Sequence, residues 1–262
     1  MLHWEAQPAS DDRGEYVGHT FTIQDVTQER EVSRMKSDFV SFVTHQLRTP
    51  LAGIKWLLEL AAGTGDVEEL QAYIADARDA NERLVTLVND LLDISRLESG
   101  RLALTPQELD LGKVTKSVVD ELTPLLKDKG HQLTVTGQDG LPLVMADPQL
   151  LRQVVMNLIS NAIKYTPQPG QIALRMREEN SSIEWAVQDN GIGIPKDALP
   201  RLFEKFYRAD NVHKIETEGT GLGLYLVRLI VEKFGGRIWC ESEEGKGTTF
   251  LFTVPLSGGG HP

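Results

Sequence analysis

Phe39-Val40-Ser41-Phe42-Val43-Thr44-His45-Gln46-Leu47-Arg48-Thr49-Pro50-Leu51 is the stretch from which the rest of the chain is read. At about 100° per residue, Asp38, Ser41, His45, Arg48, Thr49 and Ala52 fall on one side of a helix. Val40, Val43, Leu47, Leu51, Ile54 and Leu58 fall on the other. The histidine thus stands on a polar stripe while its helix is packed from behind. Upstream, Val32, Met35, Phe39 and Phe42 follow the 3-4-3 spacing of a coiled-coil seam, so the helix is predicted to start near Gln28. Pro50 should bend it one turn after the histidine, because proline removes a backbone donor and crowds the preceding turn.

Working outward, Gly63-Thr64-Gly65-Asp66 reads as a turn with Asp66 capping a second helix. That helix carries Leu70, Ala77, Leu84 and Leu91 at sevenfold spacing, with a second stripe of Tyr73, Ala80, Leu87 and Ile94. Its apolar face is too wide for one hairpin partner, which points to a four-helix bundle built from two copies of the chain. Ser99-Gly100 ends it with a left-handed stop. Before the first helix, Glu15 to Val26 reads as a solitary strand after an irregular leader. Beyond the linker, strands and helices alternate as in an α/β sandwich, with a hairpin around Glu179-Asn180-Ser181. Asn190 to Gly219 forms a loop of about thirty residues, longer than a compact domain keeps without purpose.

The bulk numbers exclude several classes of function. A formal charge of −11 over 262 residues disfavours nucleic acid, whose phosphates want a basic surface. One cysteine, Cys240, rules out an intrachain disulfide framework, and its place on a predicted strand makes it packing. No apolar run approaches the ~20 residues of a membrane span, and no signal peptide is visible. The expectation is a soluble, cytoplasmic piece.

The residues suited to chemistry lie mostly in the second half. Asn157 and Asn161 are four apart, so both amides leave one helix face amid an apolar run, at a cost unless they serve something. Mg²⁺ takes oxygen ligands shared with substrate phosphates, which suits amide carbonyls, and Lys164 follows one turn on. Asp189 ends a strand and enters Gly191-Ile192-Gly193; a turn explains Asn190-Gly191 equally well. Gly219 to Gly223 opens a helix whose free amides suit a phosphate chain. No Gly-x-x-x-x-Gly-Lys-Ser/Thr is present, which excludes a P-loop.

Taken together, these stretches resemble the sensor histidine kinases of bacterial two-component systems. His45-Gln46-Leu47-Arg48-Thr49-Pro50-Leu51 is similar to the family's phosphoacceptor box. Asn157 with Asn161, Asp189 to Gly193, Phe203 to Arg208, Gly219 to Leu224 and Gly245 to Thr248 are similar to its nucleotide boxes, in order. The resemblance implies a dimeric helical bundle followed by a Bergerat-type ATP-binding fold. It implies that Asn157 and Asn161 bind Mg²⁺, that Asp189 reads adenine, and that Lys164, Tyr165 and Arg208 contact ATP. Gly191, Gly193, Gly219, Gly221, Leu222 and Gly223 would shape the site and its lid, with Phe203 and Phe206 as lid anchors. His45 would take the γ-phosphoryl group and pass it to an aspartate of a response-regulator receiver domain, and Thr49 would position water for the reverse reaction.

One position departs from the family pattern. Gln46 stands where a Glu or Asp usually follows the histidine, and an amide cannot serve as a base. A slow kinase is one consequence; a degenerate, ATP-binding scaffold or a phosphatase is the alternative. The implied organisation is a leader over residues 1–27 that resembles the end of a PAS sensor domain, a dimerisation and phosphotransfer hairpin over 28–100, and a linker over 101–107. The ATP-binding domain then covers 108–256, with a tail at 257–262. Any further sensor domain would lie upstream.

Overall fold

A computed structural model describes residues 2–10, 12–213 and 219–257, without the side chains of residues 2, 3, 10, 28–38 and 213. The chain divides into two compact units, Met1–Val85 and Thr86–Pro262.

In the first unit, β1 (Leu2–Ser10) pairs antiparallel with β2 (Tyr16–Asp25). The leader is therefore half of a hairpin, not an irregular stretch before a lone strand. Its polar residues carry no periodic signal; the cross-strand partner makes the strand, placing Trp4 opposite Ile23 and Ala6 opposite Phe21. Helix α1 (Thr27–Gly63) runs through Pro50 without interruption. The seam residues Val32 and Met35 lie outside the described side chains. The Asp66 carboxylate accepts from the amides of Glu68 (2.8 Å) and Glu69 (3.3 Å), capping α2 (Val67–Glu98) as expected. Gly100, at φ +65°, ends α2, and the amide of Arg101 reaches back to the carbonyl of Arg96.

The second unit takes in the last turns of α2. Short strands β3 (Gln107–Leu109) and β5 (Val144–Ala146) pair with one another. The main sheet has the order β4-β6-β7-β9-β8, from β4 (Gln132–Thr136), β6 (Gln171–Glu179), β7 (Ser182–Asp189), β8 (Ile238–Glu243) and β9 (Gly247–Pro255). β4 and β6 are parallel and the other pairs antiparallel, so the sheet is mixed. Asn180 and Ser181, at φ +50° and +61°, make the two-residue turn of the predicted hairpin.

Helices α3 (Leu111–Asp128), α4 (Pro148–Tyr165) and α6 (Gly223–Lys233) complete the α/β sandwich. Asp147 caps α4 by accepting from Gln149 and Leu150 amides, at 3.0 and 3.2 Å. Asp110 caps α3 in the same way through Lys113, a cap that the residue pattern alone does not single out. The apolar face of α4, including Leu151, Val154, Leu158 and Ile159, is fully buried. In the core, Trp185 stacks on Phe252 with centroids 5.1 Å apart, and its ring N–H donates to the Thr115 hydroxyl at 3.0 Å. The long segment after β7 is more ordered than expected: it holds a 3₁₀ turn (Leu199–Arg201) and a short helix α5 (Asp210–His213).

Candidate active site

Three elements converge on one cavity in the second unit: the inner end of α4, the end of β7, and the start of α6. Its wall includes Asn161, Tyr165, Asp189, Gly193, Tyr207, Arg208, Thr220, Gly221 and Gly223. Asp189 sits at its base, 7% exposed. One carboxylate oxygen, Oδ1, accepts from the amides of Gly191 (2.8 Å) and Thr248 (3.2 Å). The other has no protein donor among the described residues, so it is the oxygen left to receive a ligand. Burial pushes the carboxyl up to about 6, against the two backbone hydrogen bonds that hold it down.

The glycines serve distinct purposes. A side chain at Gly193, whose φ is +65°, would put Cβ 2.0 Å from the carbonyl oxygen of Glu243. Gly221, at φ +66°, lies against the Phe206 backbone, where a Cβ would come within 2.7 Å. Gly191 closes on the Tyr165 carbonyl at 2.4 Å on the same measure. Gly193→Ala combines a forbidden backbone region with a backbone clash. We expect a loss of about 1–3 kcal/mol in chemical unfolding. An unchanged value would contradict the packing described.

The helix α4 asparagines are placed differently. Asn161 lines the cavity and its side chain makes no hydrogen bond among the described residues. Asn157 donates through Nδ2 to the Gln153 carbonyl at 3.1 Å, which leaves its amide oxygen facing Gly223. Among the described residues no group of three His, Cys, Asp or Glu side chains could hold a metal. Two amide oxygens fit a hard divalent cation that arrives with a polyphosphate.

Lys164, Gly219 and Leu222, expected at the site, are not among the wall residues. The Lys164 ammonium lies 5.7 Å from the Tyr165 ring centroid. The Gly219 carbonyl accepts from Arg208 at 3.0 Å, tying the end of the long segment back to its middle. Leu222 is fully buried where α6 begins. Thr248, Ile192, Ile194, Leu202, Ala209, Val212, Leu224 and Phe250 also line the cavity, beyond the site residues expected from sequence. Thr248, Ile192 and Leu224 have a signal, since they lie in the glycine boxes; Ile194, Leu202 and Ala209 have none, because nothing local marks a loop side chain as inward.

Cys240 is neutral packing: burial, then the charges of Asp189 and Glu241, push its thiol up to about 12. His45, Gln46 and Thr49 lie on α1 in the first unit. His45 and Thr49 are exposed, Gln46 is half-buried, and the Thr49 hydroxyl donates to the His45 carbonyl at 3.3 Å.

A mixed sheet under helices, with an asparagine-bearing helix and two glycine turns around a buried aspartate, defines the ATP-binding fold of Bergerat type. Residues 146–258 match the family of histidine kinase-, DNA gyrase B- and HSP90-like ATPases, and residues 35–100 match the His Kinase A phospho-acceptor domain. The chain belongs to the sensor histidine kinases. The sensor histidine kinase WalK of Bacillus subtilis is 33% identical over 248 residues, covering 93% of this chain and 40% of WalK. Drug sensory protein A of Synechocystis sp. is 37% identical over 253 residues, covering 91% of this chain and 38% of that one. The crystal structure of full-length ShkA in complex with AMPPNP superposes with a TM-score of 0.63 at 28% identity, over 84% of this chain and 46% of that one. The chain thus spans about 40% of the length of these curated relatives.

Proposed function

We propose that the chain is the catalytic core of a sensor histidine kinase, which phosphorylates His45 from Mg-ATP and passes the group to an aspartate of a response regulator. The observation that carries this is the unpartnered oxygen of Asp189 in a glycine-walled cavity, on a chain that also presents an exposed histidine in a phosphoacceptor box. An ionised carboxylate accepts the exocyclic amine of adenine. Arg208 and the amides at the start of α6 face the phosphates, and Tyr165 flanks the base. Asn157 and Asn161 would hold Mg²⁺, which screens the phosphate charge when bound. AMPPNP in the related ShkA crystal supports the same ligand class.

The unprotonated ring nitrogen of His45 forms a bond to the γ-phosphorus while the bond from that phosphorus to the β,γ-bridging oxygen breaks, and ADP leaves. The proton on the other ring nitrogen is lost to solvent. Transfer to a receiver aspartate then exchanges the N–P bond for an O–P bond, and a proton taken back from solvent restores the neutral imidazole. Half-exposed apolar side chains on both helices, including Leu51 (53%) and Ile74 (52%), leave faces for a second copy to cover, which supports a homodimer. Among the described residues no helix is long and apolar enough to cross a membrane, which is compatible with a cytoplasmic location for this core. The β1–β2 hairpin leading directly into α1 suits the end of a PAS-like sensor domain.

Incubation with γ-labelled Mg-ATP should give acid-labile, base-stable phosphate on the protein. ATP turnover without a phosphoprotein would defeat the proposal. Gln46 favours a second reading, in which the core mainly binds ATP or dephosphorylates its partner with help from Thr49. Gln46→Glu supplies the missing base, and we expect faster labelling of His45, by up to about 10²-fold. An unchanged rate would show that proton removal does not limit the reaction.

A further inference from the structure

Glu98, the last residue of α2, gathers two side chains from either side of the cavity wall. It accepts a short hydrogen bond from the Tyr225 hydroxyl, and the Lys205 ammonium lies 2.6 Å from the same carboxylate oxygen. Lys205 and Arg228 both lie 5.1 Å from the Tyr225 ring centroid. The phenol is nearly buried, and burial followed by the Glu98 contact pushes its ionisation far above the ordinary range. Tyr225 therefore stays a hydrogen-bond donor.

The neighbours of these residues show what the cluster holds. Lys205 precedes Phe206, a non-glycine residue at φ +65° whose amide donates to the Gly221 carbonyl at 3.0 Å. Such a backbone persists only where its surroundings over-determine it. Tyr225 lies one turn after Gly221, whose missing side chain allows the Phe206 backbone to approach. The two segments of the wall, around Tyr207 and around Thr220, are thus tied once through the Phe206–Gly221 backbone and once through Glu98. A half-exposed ion pair contributes little as an attraction alone. Its geometry is what matters.

We propose that Glu98 is a positioning residue for the nucleotide cavity. By holding Lys205 and Tyr225 on one carboxylate it keeps the Phe206–Gly221 tie in register, so the C-terminal end of α2 sets nucleotide affinity. The inference rests on the ATP reading of the cavity. It gives displacements of α2 a path to the site that needs no contact with the ligand.

The test is the dissociation constant of a fluorescent, non-hydrolysable ATP analogue with Mg²⁺, measured with the melting temperature on the full chain. The variants are Glu98→Gln, Lys205→Met, their double variant, and the exchange Glu98→Lys with Lys205→Glu. Each single change should weaken binding about 5- to 10-fold, the double variant no further, and the exchange should recover part of the loss. Unchanged affinity, additive losses, or a lower melting temperature at constant affinity would overturn the proposal. Absence of binding by the parent protein would instead sink the nucleotide reading itself.

Discussion

His45→Ala leaves no acid-labile label on the protein, a fall of about a thousandfold or more, while nucleotide binding stays at the parent level. The first half follows from chemistry, since alanine has no nucleophile and no neighbour offers an equivalent one: Gln46 is an amide, and the Thr49 hydroxyl is turned back onto the His45 carbonyl. The second half follows from placement. His45 is exposed on α1, in a different compact unit from the cavity, so its loss disturbs neither core. Alanine is also the best helix former, and an exposed helical substitution of this kind changes stability by less than about 0.5 kcal/mol. Label transfer from γ-labelled ATP and analogue binding, run on the same preparation, check both halves. Persistent label, or label that survives acid, would place the acceptor elsewhere.

Asp189→Asn should separate stability from function. The wild-type carboxyl is held at about 6 in the folded protein against an ordinary value near 3.9 when unfolded, with burial as the main cause. The folded state therefore binds this proton more tightly. The stability linked to it is fully present below about pH 4 and is lost as pH rises through 6, so at neutral pH the buried charge is a burden on the order of 1–3 kcal/mol. Asparagine removes that charge while its carbonyl oxygen can still accept from Gly191 and Thr248. We expect a melting temperature at pH 7.5 that is raised by a few degrees, with a smaller gain at pH 5.

The same substitution should weaken ATP binding by at least about 100-fold, because a site built to pair a polar group loses heavily when the partner is mismatched. With its carbonyl committed to two backbone amides, the substituted side chain would turn its NH₂ toward the ligand, donor against donor. A triphosphate of a 6-oxopurine, which presents an acceptor at that edge, should lose less than ATP does. In the parent, ATP affinity should fall as pH drops below about 6, where the carboxylate becomes a donor. Calorimetric titration at pH 7.5 and 5.5 checks this, and equal ATP affinity in both proteins would remove Asp189 from the base-reading role.

The parts of this architecture legible from residue order are those with local causes. The hairpin of α1 and α2 shows through periodicity, and its turn through the Asp66 cap. Gly100 marks the end of α2 because only the left-handed region closes that turn cheaply. Less legible is β1, whose strand character depends on β2 lying beside it. The long segment after β7 offers glycines and aromatics but no period, so its 3₁₀ turn and α5 leave no trace in the pattern. Within the site, Asp189 and the glycines are visible as types, whereas Ile194, Leu202 and Ala209 are not, because an inward-facing loop residue is indistinguishable from an outward-facing one by neighbours alone.

Residue order by itself determined the helical hairpin, the histidine on its polar face, the order of the nucleotide boxes and the family they mark, since these depend on repeat, spacing and backbone demand. Only the tertiary structure decided that Asp189 has one oxygen committed and one available, that Thr248 shares its support, and that Glu98 joins Lys205 and Tyr225 across more than a hundred residues. The physical reason is that hydrogen-bond saturation and burial belong to groups meeting in space: a carboxylate's charge, its shifted proton affinity and its free lone pairs are set by whichever atoms the fold brings to within about 3 Å of it.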